Sequence, residues 1–151
     1  MKSNPIRFFR DARGQSLVEF ALILPMMLVV MFMITEFGRA IFMYNVLAQA
    51  AREGARVAVV SGPASAIANG EARMTDFLTK ARMNTGATVT CEIVNDYQGV
   101  DNVNVVVAKA ERPFNWAFAG PMSMLGGGSA AKGGKASWTL HAEAVMKSET
   151  F

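Results

Sequence analysis

Apolar side chains run without a charge from Phe20 to Thr35, bounded by Glu19 on one side and Glu36 on the other. As helix, at 1.5 Å per residue, the run spans about 24 Å, short of the roughly 30 Å hydrocarbon slab of a bilayer. Leu17 and Val18 lengthen it at one end, and Phe37, Ile41 and Phe42 at the other. A spanning helix therefore takes Glu19 or Glu36 near an interface, where an acid costs well below the ~2.5 to 3.5 kcal/mol of mid-bilayer insertion. The pattern predicts one membrane helix.

Helical spacing does not stop at the membrane edge. Phe37, Ile41, Tyr44, Ala48, Ala51, Ala55 and Val59 continue an apolar stripe, and Asn45, Gln49, Arg52 and Arg56 a polar one. One helix is expected from about Ser16 to Val60, about 65 Å long, so its second half projects as an amphipathic stalk against a folded domain. Gly62 and Pro63 end it, the first as a left-handed cap and the second as a residue that cannot continue the ladder. Pro25 lacks the donor for the Ala21 carbonyl and is expected to kink or locally melt the membrane segment. Glu36 with Arg39, and Glu53 with Arg56, stand three apart, a spacing that supports ion pairs of a few tenths of a kcal/mol. Ala48, Ala50, Ala51, Gly54, Ala55 and Ala58 thin one side. Either the chain's own sheet or another subunit fits such a surface.

Beyond the Ser61 to Asn69 break, Met74, Phe77, Leu78 and Ala81 recur at helical spacing within Glu71 to Asn84, predicting a second, short helix that stops at Gly86. The period then changes to two. Val89, Cys91 and Ile93 alternate with Thr88, Thr90 and Glu92, and Val103, Val105 and Val107 follow across the Asp96 to Asn102 turn region, which reads as an antiparallel hairpin. Trp138, Leu140, Ala142, Ala144 and Met146 alternate with Ser137, Thr139, His141 and Glu143 in a third strand. The expected class is α+β: a long membrane-spanning helix and stalk, packed on a small antiparallel sheet of about three strands with a second short helix. Three roles fit the apolar segment from Pro113 to Leu125: core packing, a dip into the outer leaflet, or a contact patch. The glycine and alanine tract from Gly126 to Lys135 reads as a loop.

Charge sets the orientation. Lys2, Arg7, Arg10 and Arg13 precede the apolar run against Asp11 alone, while Arg39, Arg52 and Arg56 follow it, a weak positive-inside bias that puts the N-terminus in the cytoplasm. That leader carries the whole formal net charge of +3. The remainder balances, so the basic pI gives no support to nucleic-acid binding, which calls for a clustered basic face. With 151 residues and the leader and helix set aside, roughly 100 residues remain, enough for one modest core.

Catalytic patterns fail one by one. Gly133, Gly134 and Lys135 lack the phosphate-loop spacing, since Ser129 stands where its first glycine belongs and Ala136 replaces the hydroxyl that would hold magnesium. A single histidine, His141, removes paired-histidine metal sites and reads, with Glu143, as a solvated strand face. Cys91 is the only cysteine, so no intrachain disulfide forms; its inward alternation reads as a buried small hydrophobe, with an intermolecular bridge or a nucleophile pair with His141 as the alternatives. No catalytic residue, metal or cofactor is expected.

The stretch Gly14 to Phe20, Pro25, the Glu36-Phe37-Gly38-Arg39 segment and the segment from Ala50 to Arg56 resemble the TadE-like family, pilin-like subunits of the tight-adherence (Flp) branch of type IV pili. The likeness is specific from Arg13 to roughly Val60. Major pilins of the branch are much shorter, so the chain resembles a minor pilin or pseudopilin. The resemblance implies cleavage by a prepilin peptidase between Gly14 and Gln15, with Glu19 guiding insertion into the filament and Phe20 standing where the major pilins more often carry tyrosine. It also implies an inner-membrane assembly platform, a major Flp-type pilin and other minor pilins as partners, and a single-pass inner-membrane location with the C-terminal domain exported. Cleavage exposes an ammonium at Gln15, one turn from Glu19. Among packed helices a neighbour's Glu19 can pair with it, because an unpaired buried charge costs about 3 to 5 kcal/mol.

The expected division is a leader over 1–14, a membrane and stalk helix over 15–62 and an extracytoplasmic α+β domain over 63–151. Two rivals remain at this stage. One is a secreted protein cut at Gly38-Arg39-Ala40, a poor signal-peptidase site because of its arginine. The other is a signal-anchored enzyme or extracytoplasmic binding protein that uses the Trp116 to Leu125 segment as a pocket.

Overall fold

The computed structural model describes residues 12–95, 104–117 and 137–148. In chain order the elements are α1 (Ala12–Val60), α2 (Ala66–Lys80), β1 (Thr88–Val94), β2 (Val105–Asn115) and β3 (Ser137–Lys147), and the strands form one antiparallel sheet in the order β1-β2-β3. The α+β class and the three-strand sheet follow the expectation. Two compact units divide at Phe37 and Gly38. The leader before Ala12, the Asp96 to Asn102 turn and the Gly126 to Lys135 tract lie outside the described residues, as does most of the Pro113 to Leu125 segment.

In the first unit α1 begins at Ala12, about four residues before the expected start at Ser16, so the Gly14–Gln15 bond lies inside its first turn. Ala12 and Arg13 are good helix formers. The helix continues past Pro25 without interruption, although proline cannot supply the N–H for the Ala21 carbonyl. Large apolar side chains point outward along this stretch: Leu22, Met26 and Ile34 are 74%, 72% and 69% exposed. Its most apolar 18-residue window has a mean hydropathy of 2.6, long and apolar enough to cross a membrane. Thr35 suits that setting, since its hydroxyl donates to the Met31 carbonyl at 2.9 Å and is satisfied within the helix.

The second unit is built on the rest of α1. Met43, Leu47, Ala50, Ala51, Ala55 and Ala58 are buried there in one cluster with Met74 and Leu78 of α2 and with Cys91, Val106, Ala108 and Phe114 of the sheet. The predicted stripe holds at Ala51 and Ala55, which are fully buried, and fails at Phe37, Ile41 and Tyr44, which remain about half exposed. The packed face is the thin side expected from Ala50, Ala51, Ala55 and Ala58, whose short side chains let the sheet and α2 approach. Fully burying Leu47, Met74, Leu78 or Phe114 contributes about 1.5 to 3 kcal/mol each.

Ser61 to Ser65 turn the chain from α1 into α2. Gly62 takes φ +74°, and its carbonyl accepts from the Ala66 N–H at 2.9 Å. Helix α2 starts five residues before the predicted Glu71 and buries Ala66, Gly70, Met74 and Leu78, one per turn. It also stops earlier than predicted, at Lys80. Arg82 adopts φ 56°, with its N–H bonded to the Thr79 carbonyl at 3.0 Å and the Met83 N–H bonded to the Leu78 carbonyl at 2.7 Å. These are the two bonds of a Schellman cap, closed by the buried pair Leu78 and Met83.

In the sheet the rungs Val89–Ala110–Ala142, Cys91–Ala108–Ala144 and Ile93–Val106–Met146 face the helices. Val105 and Val107, expected to carry the alternation, lie on the opposite face, although both are buried. The run Val105-Val106-Val107-Ala108 is apolar at every position, so its period could not tell the two faces apart. Pro113, on the central strand, falls beyond the last β1 rung at Thr88–Glu111, where its missing N–H breaks no ladder bond to β1. Cys91 is buried as expected, and its N–H donates to Glu71 Oε1 at 3.2 Å.

Candidate functional site

The residues singled out by sequence fall into three groups along α1. Gly14, Gln15, Glu19 and Phe20 occupy its exposed first turns. The Gln15 carboxamide donates to Glu19 Oε1 at 3.1 Å, four residues on. Gly14 differs from a packing glycine, because a Cβ built there would meet no atom within 4 Å. Nothing in the described chain requires glycine at this position, and in an exposed helix it costs about 1 kcal/mol relative to alanine.

Arg39 belongs to the second group, on the second unit. Its guanidinium donates to the Asn115 carbonyl and lies 4.4 Å over the Phe114 ring. Phe114 meets Trp116 edge to face at 5.4 Å, and Trp116 meets Trp138 in the same way at 5.5 Å. Sequence reasoning missed this row. It placed Trp138 on the apolar face of β3, and the residue does share the parity of that face, yet it is 63% exposed. The available signal was that both tryptophans of the chain fall at the two strand ends flanking one long connection. Glu36, expected near an interface, is buried.

Glu53 and Arg56 form the third group. The Glu53 carboxylate lies 3.6 Å from Arg73 of α2; that cross-helix partner takes the place of Arg56, because the turn at Gly62 folds α2 back along α1. Arg73 also bonds Asp76 at 3.2 Å, and Asp76 bonds Lys80 at 2.7 Å. The Lys80 hydrogen bond is the largest influence on the Asp76 carboxyl; desolvation, the next largest, opposes it, but with the charges of Lys80 and Arg73 added the carboxyl is held below the usual aspartate range. Burial pushes the Cys91 thiol up, and the nearby carboxylates of Glu71 and Glu92 push the same way. A thiol held protonated in an apolar layer is a poor nucleophile. His141 and Glu143 are exposed on the outer face of β3.

The arrangement is that of an apolar helix leading into a small α+β unit, with its distinctive residues spread along the helix. Residues 14–56 match the family model of TadE-like proteins, the family whose resemblance the Gly14 to Phe20 and Ala50 to Arg56 segments carry. The match supports a protein associated with the tight-adherence pilus, and the long apolar helix together with that family suggests membrane anchoring. The family is pilus-related and not known as enzymatic. Neither the curated proteins nor the solved structures yield a match to the chain.

Proposed function

We propose that the chain is a minor-pilin-type subunit of a tight-adherence pilus, held in the inner membrane by α1 and processed by a prepilin peptidase between Gly14 and Gln15. The observation that carries this reading is Gly14 itself. It lies within the TadE-like match, at the head of an exposed apolar helix, and no packing among the described residues explains its lack of a side chain. A peptidase that accepts only a small residue before the cut explains it. The helix also passes unbroken through Gly38-Arg39-Ala40, and Arg39 is tied to Asn115 and Phe114, which argues against cleavage there.

After processing, the new ammonium at Gln15 stands at the helix N-terminus beside Glu19. The Gln15 carboxamide occupies one Glu19 oxygen of the same chain, which leaves the other to accept from the ammonium of a neighbouring subunit. Partners in this reading are the major Flp-type pilin, other minor pilins and the assembly platform.

Intact-mass measurement of membrane-extracted protein tests the cut. The expected N-terminus is Gln15, and Gly14→Leu should abolish processing while leaving the helix content unchanged. A chain that starts at Met1 in cells with active peptidase sinks the proposal. Glu19→Gln should still insert and be processed but reduce piliation, and unchanged piliation removes the role given to Glu19. The same spectrum reads the state of Gln15, since cyclisation of an N-terminal glutamine expels one ammonia and deletes both the ammonium and the carboxamide bonded to Glu19.

A further inference from the structure

We infer that the row Arg39, Phe114, Trp116 and Trp138 is a lipid-headgroup anchor that holds the extracytoplasmic unit down on the membrane surface. The inference rests on the membrane-anchored reading above. All four residues lie in the second unit. Phe114 is buried and forms the base of the row, while Trp138 at its far end exposes 63% of its surface on the parity that elsewhere in β3 packs against the helices. An indole exposed at the end of a cored face offers a ring that a lipid boundary can cover. Tryptophan rings partition to the membrane–water boundary, where the apolar ring meets acyl chain and the N–H stays hydrated.

Position along α1 supplies the second, independent argument. Arg39 follows the last residue of the charge-free run, Thr35, by one helical turn, about 6 Å of rise. A headgroup layer is about 5 to 8 Å thick on each side of the hydrocarbon slab. The residue on which the aromatic row is built thus falls at headgroup depth. Its guanidinium is positive, as suits a surface of anionic phosphates, and its stem can lie along apolar side chains. One arginine so placed fixes the strand ends Asn115 and Trp138 near the same plane through three successive ring contacts.

Trp116 and Trp138 are the only tryptophans, which makes the test direct. The full chain is reconstituted into vesicles of phosphatidylethanolamine and phosphatidylglycerol doped with lipid brominated either near the headgroup or near the chain ends, and flotation confirms incorporation. In Trp116→Phe, Trp138 emission should be lost to headgroup-proximal bromine, spared by deep bromine and protected from aqueous iodide. The wild type, carrying both rings, should show the same order should that variant fold poorly. Protein that floats while its tryptophans are quenched by iodide and not by bromine overturns the anchor alone. Protein that does not float overturns the anchor together with the membrane reading. Iodide protection that appears only as protein concentration rises, without bromine quenching, assigns the row to a second copy of the chain and also overturns it.

Discussion

The two stretches of α1 share a backbone and differ in what their side chains do. Up to Phe37 most bulky residues point outward, Leu22, Met26 and Ile34 among them. From Gly38 the inward positions shrink to alanine and glycine, and Leu47, Ala50, Ala51, Ala55 and Ala58 are completely buried against the same chain. The glycines repeat the contrast. A Cβ at Gly14 meets nothing among the described residues, whereas one at Gly54 would press on Met74 Cγ and one at Gly70 of α2 on Cys91 Sγ at 2.9 Å. Exposed bulk marks a surface whose packing comes from outside the molecule, from lipid or from neighbouring helices. Buried small residues mark one that the chain completes by itself.

Matched substitutions in the two stretches measure that difference, beginning with the largest effect. Leu47→Ala removes a fully buried side chain and should cost about 2 to 5 kcal/mol, read from denaturant unfolding of the full chain in detergent. Leu22→Ala in the same assay should leave the midpoint unchanged. Equal losses from both would erase the distinction. Gly54→Leu should destabilise next most strongly. Overpacking costs about 1 to 3 kcal/mol, against which the better helix propensity returns only about 1 kcal/mol. Gly38→Ala, at the start of the packed unit, has no such contact to violate and should stabilise by up to about 1 kcal/mol; a loss of stability there would reveal a close approach at Gly38 that its open surroundings argue against.

Sequence showed the exposed stretch and the class of the fold better than it showed the packed one. A run from Phe20 to Thr35 without charge needs no tertiary information to be read, and the change of period at Thr88 marks the strands. The stalk stripe was misjudged at Phe37, Ile41 and Tyr44, which outweigh alanines on any hydropathy scale, whereas the small-residue side through Ala50, Ala51, Ala55 and Ala58 was legible and is the one that packs. The face of β2 was ambiguous for a different reason, four apolar residues in succession from Val105 to Ala108. Of the candidate site, the Gly14 to Phe20 segment is a local pattern and was legible. Arg39's contact with Phe114 joins residues far apart in the chain, and no local spacing announces it. The Glu53 to Arg73 pair was hidden in the same way, behind the turn at Gly62.

The end of α2 shows what a missing signal looks like and gives a smaller prediction. Its Schellman cap places Arg82, a residue with a Cβ, in the left-handed region at φ 56°, where glycine would have announced the stop. A left-handed residue other than glycine costs about 1 to 2 kcal/mol. Arg82→Gly should therefore raise the stability of the packed unit by about 1 kcal/mol, discounted for the greater freedom that glycine gives the unfolded chain. No change, or a loss, would mean that the arginine side chain contributes there in a way that its exposed position does not reveal.

The smallest effect is electrostatic and should be confined to the packed unit. Asp76 is held below its ordinary value by Lys80 and then Arg73, so its carboxylate stabilises the folded state above the ordinary aspartate value of about 3.9. That contribution disappears as pH falls through the lower folded value. On acidification the emission of Trp116 and Trp138, both in this unit, should report unfolding before the helical signal of the apolar stretch declines, because that stretch between Phe20 and Thr35 carries no group to titrate. Asp76→Asn should shift the acid limb of stability slightly and lower stability at neutral pH by the same small amount, with the two curves converging at the lowest pH. Curves that stay parallel from neutral pH to the acid end would show that Asp76 acts through packing instead of charge, and would remove the assignment of this acid response to the ion pairs along α2.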